Sequence, residues 1–214
     1  MQTLSYPRAR GAVLGLAALV ICGCLGRSET PRFYSLSPAL EVQESSRGGN
    51  PGNALAVGLG PVRAADYLDD TRMITRSGDH QVVKAEQHRW AGSLKNNIMN
   101  VLAENLGTQL HTDRIFLFPW RATVPLDYQV VVEILRLDGR LGESALLVAR
   151  WSVLAGPEKR LLRAQRTSIT EPVTGGDHAA LAAAQSRALA GLSREIAQAI
   201  RGTSGRPAAA AGKP

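Results

Sequence analysis

Cysteine and aromatic residues are scarce in this sequence. Its 214 residues include two cysteines, Cys22 and Cys24, and aromatic side chains make up only 5% of the chain. Both cysteines lie near the N-terminus, so a chain cleaved between them keeps a single thiol. One thiol cannot close a disulfide within the chain, which excludes a small fold held together by disulfides.

Long hydrophobic runs are also missing. The apolar run at residues 11–21 is only about half as long as the ~20 residues that a membrane-spanning helix needs. It follows a start that carries Arg8 and Arg10 and no acidic residue. A basic start before a short apolar run is typical of a cleaved secretory signal rather than of a permanent membrane anchor.

Runs of basic residues are absent as well, although the formal net charge is +7. Removal of Arg8 and Arg10 with the signal would lower it to +5. The remaining Lys and Arg residues are scattered, whereas nucleic-acid-binding segments gather them. We therefore expect no nucleic-acid partner and assign most of this charge to solvated faces, with contact to anionic lipid as the alternative.

The end of the apolar run resembles the lipobox of bacterial lipoproteins. Ile21 stands three positions before Cys24, and Gly23 stands directly before it. Cys24 is a better acceptor than Cys22, because the residue before Cys22 is the branched Ile21 and processing needs a small side chain there. The Cys24 thiol would carry a diacylglyceryl group, and the α-amine freed by cleavage would carry a third acyl chain. An ordinary signal peptide with two incidental cysteines is the alternative.

This interpretation divides the N-terminus into a lipoprotein signal peptide at residues 1–23 and a lipidated tether at residues 24–31. Two acyl chains already give stable membrane anchoring. In bacteria with the usual sorting, an aspartate after the lipidated cysteine favours the inner membrane, and here that position holds Leu25. We therefore expect the periplasmic face of the outer membrane, with the inner membrane less favoured.

Two amphipathic helices are predicted. The first begins after Ser93, which can cap it, and Gly107 is predicted to end it. The second begins after Asp177 and ends at residue 201, and residues 202–214 lack periodicity and are predicted to be disordered. Apolar positions recur at helical spacing in each. They are Leu94, Ile98, Val101, Leu102 and Leu106 in the first helix, and Leu181, Ala188, Leu189, Leu192, Ile196, Ala199 and Ile200, together with Gln185, in the second.

Strand patterns fill most of the remaining chain. A short strand at residues 32–36 ties the tether to the domain, and turn residues at 77–79 predict a hairpin of 73–76 with 81–85. Further strands are predicted at 54–59, 115–118, 128–137, 144–154 and 160–169, the last three forming an antiparallel meander with turns at Asp138-Gly139 and Gly156-Pro157. Residues 130–132 lack alternation, which predicts a strand that is central in its sheet or covered on both faces. Residues 32–201 are therefore predicted to form a single α/β domain, in which two main helices pack on a mixed, largely antiparallel sheet.

No catalytic or metal-binding pattern emerges. The Gly58-x-Gly60 pair is followed by Pro61 rather than by Gly-Lys-Ser/Thr, so it predicts a bulge or turn and not a phosphate loop. Asp69-Asp70 is interpreted as a solvated loop. The histidines are too far apart in sequence for a helical or turn-borne metal site, and they are His80, His88, His111 and His178. We therefore expect a non-enzyme without a cofactor or metal.

The densest polar and aromatic cluster is Glu86-x-His88-Arg89-Trp90. Arg and Trp are the residue types that most often anchor protein contacts, so Arg89 and Trp90 are candidate partner contacts. The alternative is that Trp90 fills the core beside Trp120 or Trp151.

Several of these blocks, in order, resemble the PqiC-like family of ABC-type transport auxiliary lipoproteins. They are Tyr67-Leu68, Glu86-x-His88-Arg89-Trp90, the helix at 94–106, Phe118-Pro119-Trp120, Tyr128-Gln129-Val130, Ala149-Arg150-Trp151 and Ser186-Arg187-Ala188-Leu189. The order of the blocks and the lipobox carry the resemblance, which covers most of the mature chain. It implies an α/β fold, a non-catalytic role, and a ring-like homo-oligomer.

The resemblance also implies partners, namely an MCE-type periplasmic protein and the inner-membrane ABC transporter subunits of a lipid transport system. Two hypotheses remain open. The chain is an outer-membrane adaptor that docks such a system, or it is a carrier that holds a lipid or small ligand in its own domain. A single packed core would favour the adaptor, and more exposed aliphatic residues than two helices can cover would favour the carrier.

Overall fold

A computed structural model describes residues 29–38, 55–121, 123–156 and 158–204. The chain divides into two units, Met1–Thr30 and Pro31–Pro214, and every element described here belongs to the second. The predicted signal peptide and Cys24 lie outside the described residues, so their assignment stays a prediction.

The described elements are eight strands, two α-helices and one 3-10 helix. In chain order they are β1 (Arg32–Tyr34), β2 (Val57–Ala64), the 3-10 helix (Asp66–Leu68), β3 (Arg72–Arg76), β4 (Val82–Trp90), α1 (Leu94–Leu110), β5 (Ile115–Leu117), β6 (Tyr128–Gly139), β7 (Ser144–Ala155), β8 (Arg160–Pro172) and α2 (His178–Ser204).

The strands form two mixed sheets, with orders β5-β2-β6-β7-β8 and β1-β4-β3. In the larger sheet β2 runs parallel to β5 and β6, and β6, β7 and β8 form the predicted antiparallel meander. In the smaller sheet β3 and β4 form the predicted hairpin, and β1 joins it in parallel. The predicted α/β class with two main helices is therefore confirmed, and its strands divide into two sheets.

Both helices cover one face of the larger sheet, α1 near β2 and β5, and α2 over β6, β7 and β8. Along much of β6 and β7, alternate residues are buried in this layer, while their neighbours are more exposed. One contiguous core results. Its largest fully buried side chains are Leu59, Met73, Ile98, Leu102, Leu106, Ile134, Leu137, Leu147, Leu181, Leu189, Leu192 and Ile196.

The predicted end of the first helix is wrong. Ser93 caps the start as expected, since its hydroxyl accepts from the Asn96 backbone N–H at 3.4 Å. The helix continues past Gly107 to Leu110, and His111 adopts the left-handed conformation (φ 51°). Leu110 is only 9% exposed, so the extra turn extends the buried stripe. Gly107 has another role, because a Cβ there would lie 3.1 Å from the Thr112 carbonyl oxygen.

The second helix follows its predicted pattern closely. The Asp177 carboxylate accepts a hydrogen bond from the Ala180 backbone N–H at 2.8 Å, which is the expected cap. Seven of its eight stripe residues are fully buried, and Ala199 is partly buried. The helix reaches Ser204, so residues 202–204 are not part of a disordered tail, and residues 205–214 lie outside the described chain.

Two turn predictions on the larger sheet have opposite outcomes. The β2–β6 register shifts between Leu59 and Val62, and Gly60 has a φ of 130°, which confirms the bulge. Asp138-Gly139, by contrast, is not a turn, since both residues complete β6 and are buried. A Cβ on Gly139 would collide with the Ser144 carbonyl oxygen, so glycine permits the close approach of β7.

Candidate functional site

A buried carboxylate joins the two sheets. Asp138, near the end of β6, has a side chain with no solvent exposure. It accepts hydrogen bonds from Arg76 Nε on β3 and Arg136 Nη2 on β6, both at 2.8 Å. Its other oxygen accepts a hydrogen bond at 2.7 Å from the hydroxyl of Tyr67, which lies in the 3-10 helix. Two positive charges and a hydroxyl thus surround one negative charge at the contact between the sheets.

The electrostatics of this cluster favour the ionised carboxylate. Burial raises the pKa of Asp138, but the hydrogen bonds from Arg136, Arg76 and Tyr67 outweigh burial and hold this pKa below its usual value. Burial and the hydrogen bond to Asp138 raise the pKa of Tyr67 to about 12. Asp138 therefore stays charged and Tyr67 stays protonated at neutral pH, which is the arrangement of a structural ion cluster rather than of an acid–base pair.

A polar cleft of about 380 Å³ opens beside this cluster, between the β3–β4 and β6–β7 turns. Its two arginines already bind protein oxygens. Arg140 forms ion pairs with Asp79 at 3.3 Å and Glu143 at 3.4 Å, and Arg76 also donates to the Asp79 carbonyl at 3.0 Å. The cleft is lined by Thr75, Arg76, Ser77, Arg140, Leu141 and Glu143. Its lining is therefore suited to water and polar groups rather than to an acyl chain.

A second ion cluster corrects the expectation of a solvated loop for Asp70, whereas Asp69 is exposed as predicted. The side chain of Asp70 is only 15% exposed and pairs with Arg72 at 3.0 Å and Lys84 at 2.8 Å. Hydrogen bonds from Arg72 and then Lys84 hold the pKa of Asp70 well below its usual range. Asp70 thus fixes the β3–β4 hairpin and is not available as one of two paired catalytic acids.

Two histidines that lie far apart in sequence stack against each other. The rings of His88 on β4 and His178 at the start of α2 have centroids 3.8 Å apart and an interplanar angle of 12°. The Tyr34 hydroxyl lies 2.7 Å from His88 Nδ1, so β1, β4 and α2 meet here. Burial, and then the neighbouring His88, lower the pKa of His178, while Asp177 opposes this shift. Within the described residues no group of three metal-binding side chains occurs.

Acidification should destabilise this contact. In the folded chain the pKa of His178 lies below its ordinary value of 6.5. As the pH falls below 6.5, the unfolded chain therefore binds a proton at His178 more readily than the folded chain does. Stability is therefore full above that value and falls as the pH drops below it. We expect the urea concentration at the unfolding midpoint to be lower at about pH 5.5 than at about pH 7.5. His178→Gln should make this decrease smaller. The exposed His80→Gln is the matched control, and equal pH dependence in all three proteins would contradict the prediction.

The two residues predicted as partner contacts have different environments. Trp90 is only 4% exposed and belongs to the core, as the alternative interpretation held. Arg89 is half-buried, and its Nε lies 3.4 Å from the Glu86 carbonyl oxygen, which accepts the hydrogen bond. A core tryptophan is not accessible to a partner in this structure. Arg89 alone keeps solvent access, and Cys24 lies outside the described residues.

The family of the chain follows from its sequence. A family described as "ABC-type transport auxiliary lipoprotein component" matches residues 34–197, from β1 through most of α2. The chain belongs to this family. The match contains strands β2 to β8, the Asp138 cluster and the histidine pair, so these features lie within an auxiliary lipoprotein domain of ABC-type transport.

Solved structures share the fold of this auxiliary lipoprotein. A crystal structure of an uncharacterized protein aligns with a TM-score of 0.64 at 18% identity, over 80% of this chain and 99% of that one. Protein XCC0632 from Xanthomonas campestris aligns with a TM-score of 0.64 at 15% identity, over 82% and 100% respectively. Comparison with curated proteins gave no match. Within the described ranges, neither helix combines the length and apolar character that crossing a membrane requires.

Proposed function

We propose that this auxiliary lipoprotein is a non-catalytic adaptor anchored in the outer membrane, which docks an MCE-type lipid transport system in the periplasm. The family match over residues 34–197 carries the proposal. The lipobox at Ile21-Cys22-Gly23-Cys24 supports a lipid anchor, and Leu25 supports outer-membrane sorting.

The mechanism is positional. Acyl chains on Cys24 hold the chain at the membrane, and residues 25–31 connect them to the folded domain. The domain then recognises an MCE protein or an ABC transporter subunit and fixes its position relative to the membrane. The ion clusters at Asp138 and Asp70 are consistent with this role, because they tie strands of the domain together.

The packing of the domain favours the adaptor over a lipid carrier. One contiguous core joins both helices to both sheets. The 380 Å³ cleft is polar, and a second hollow of about 200 Å³ is lined by Ala155, Gly156, Glu158 and Arg160. Lipid pockets are lined mainly by apolar side chains, whereas the larger of these two hollows is polar and the smaller has two charged residues, Glu158 and Arg160, among the four that line it.

Purification in mild detergent from the native membranes, with identification of every bound protein and lipid, tests this proposal. We expect MCE or ABC transporter subunits to be recovered with the chain. The matched control carries residues 1–31 on an unrelated soluble domain, so that it shares the anchor but not the docking surface. Equal recovery with this control, or stoichiometric lipid without any transporter subunit, would contradict the adaptor role.

A further inference from the structure

The larger sheet has one face that the helices leave open. The opposite face packs on α2. Thr167 on β8 accepts a hydrogen bond from Trp151 Nε1 on β7 at 2.9 Å and donates one to Glu195 on α2. On the open face the strands present residues of the other parity. These include Val131 and Glu133 on β6, Arg150, Ser152 and Leu154 on β7, and Ala164, Arg166 and Ser168 on β8, all partly or fully exposed.

The strand register places four charged residues in one row across this open face. Arg63 on β2 pairs with Glu133 on β6, Glu133 with Arg150 on β7, and Arg150 with Arg166 on β8. We call these four residues the arginine row. With strands about 4.8 Å apart, the row extends about 14 Å perpendicular to the strands. Three positive charges against one negative charge leave the row with a net charge of +2.

The positive charge of the arginine row is not neutralised internally. Arg150 is 63% exposed and lies 3.5 Å from Glu133, which is 45% exposed. Arg63 and Arg166 are exposed and have no ion pair among the residues that the structure describes. Arg150 and Arg166 are direct cross-strand neighbours, and like charges in that position destabilise a sheet. A carboxylate from outside the chain would remove this repulsion.

The chemistry of the face favours a protein segment over a membrane surface. Guanidinium groups bind carboxylates through paired hydrogen bonds, and arginine is enriched in protein interfaces. The adjacent cross-strand row is uncharged and consists of Val131, Ser152 and Ala164, and Leu161 beyond it is 59% exposed. Glu133 in the middle of the row would repel a dense layer of lipid phosphates, whereas a protein segment can place its own charges around it.

We infer that the open sheet face docks an acidic segment of an MCE or ABC transporter subunit, whose carboxylates pair with Arg63, Arg150 and Arg166. This inference rests on the proposed function and names the surface that performs it. It also takes the place of Trp90, which is buried, as a candidate partner contact.

The test compares full-length lipoproteins in mild detergent after expression in their native membranes. The row variant is Arg63→Gln/Arg150→Gln/Arg166→Gln. The matched control, Arg32→Gln/Lys95→Gln/Arg121→Gln, removes the same charge from exposed positions elsewhere. We expect the amount of transporter subunit recovered with the row variant to be at least about tenfold lower than with the wild type. The control should recover the same amount as the wild type. Glu133→Gln should increase recovery, a gain that a folding defect cannot produce.

The outcomes separate this inference from the function on which it rests. If the wild type recovers no transporter subunit, the proposed function is wrong and the inference falls with it. If all variants recover subunits equally, the adaptor role stands and the docking face is wrong. If the row variant instead loses only its binding to phosphatidylglycerol-containing vesicles, the arginine row binds anionic lipid and the inference is overturned.

Photo-crosslinking identifies the occupant directly. Benzoylphenylalanine is placed at position 164, where Ala164 lies on the open face. As a control it is placed at position 183, where Ala183 lies on the exposed side of α2. We expect only the first to crosslink, to a transporter subunit and at a segment that contains several Asp or Glu residues. A crosslink to a second copy of this chain, or to a segment without acidic residues, would contradict the inference.

Discussion

Asp138→Ala should destabilise the domain by about 3–5 kcal/mol. The substitution removes a fully buried carboxylate but leaves Arg76, whose side chain is only 17% exposed, and the Tyr67 hydroxyl without their partner. Breaking a buried ion pair from one side is costly because the remaining charge has lost both water and its counter-ion. The measurement is the free energy of unfolding from urea titration at neutral pH.

An exposed ion pair on the same strand supplies the control. Glu133 pairs with Arg150 at 3.5 Å, and their side chains are 45% and 63% exposed. Solvent screens such a pair, so Glu133→Ala should cost less than about 1 kcal/mol. Equal and small effects of the two substitutions would mean that the Asp138 cluster does not hold the sheets together.

Acid titration gives an independent signature of the same cluster. The folded pKa of Asp138 lies below its usual value of 3.8, so its contribution is complete above that value and is lost as the pH falls through the lower folded pKa. Asp138→Asn removes this part of the acid dependence. Asp70, whose pKa is also lowered, retains its own part in both proteins.

The regular elements were largely predictable from local sequence, and the ion cluster was not. The stripe from Leu181 to Ile200 repeats at helical spacing, so one face of α2 was readable without any partner. Asp138-Gly139 has the composition of a turn, and local sequence therefore favoured one. The local preference for a turn is overridden by Arg76, which is 62 positions away in sequence and lies beside Asp138 only when the two sheets pack together.

The histidine pair and the arginine row escape sequence analysis for the same reason. His88 and His178 are brought together by the packing of β4 against the start of α2. The arginine row depends on strand register, including a shift between Leu59 and Val62 that aligns Arg63 with Glu133. A one-residue change in register would move Arg63 to the other face. The spacing of these residues in the sequence carries no such information.

Cys24→Ala should abolish anchoring of the mature protein without unfolding its domain. A single fourteen-carbon chain already gives a membrane association constant of about 10⁴ M⁻¹, and two or more chains make binding stable. Without the Cys24 thiol no acyl chain can be attached, and the precursor should remain uncleaved or appear as a soluble form. The measurement is membrane fractionation with mass spectrometry of the N-terminus, and the urea midpoint should equal that of the wild type.

Cys22→Ala is the matched control, because it removes the other cysteine two positions away and leaves Gly23-Cys24 intact. If Cys24 is the lipid attachment site, this variant is processed, acylated and recovered with membranes as the wild type is. An acylated protein of mature size that persists after Cys24→Ala would show that the lipobox was misassigned. Loss of acylation in Cys22→Ala alone would move the attachment to Cys22, despite the branched Ile21 before it.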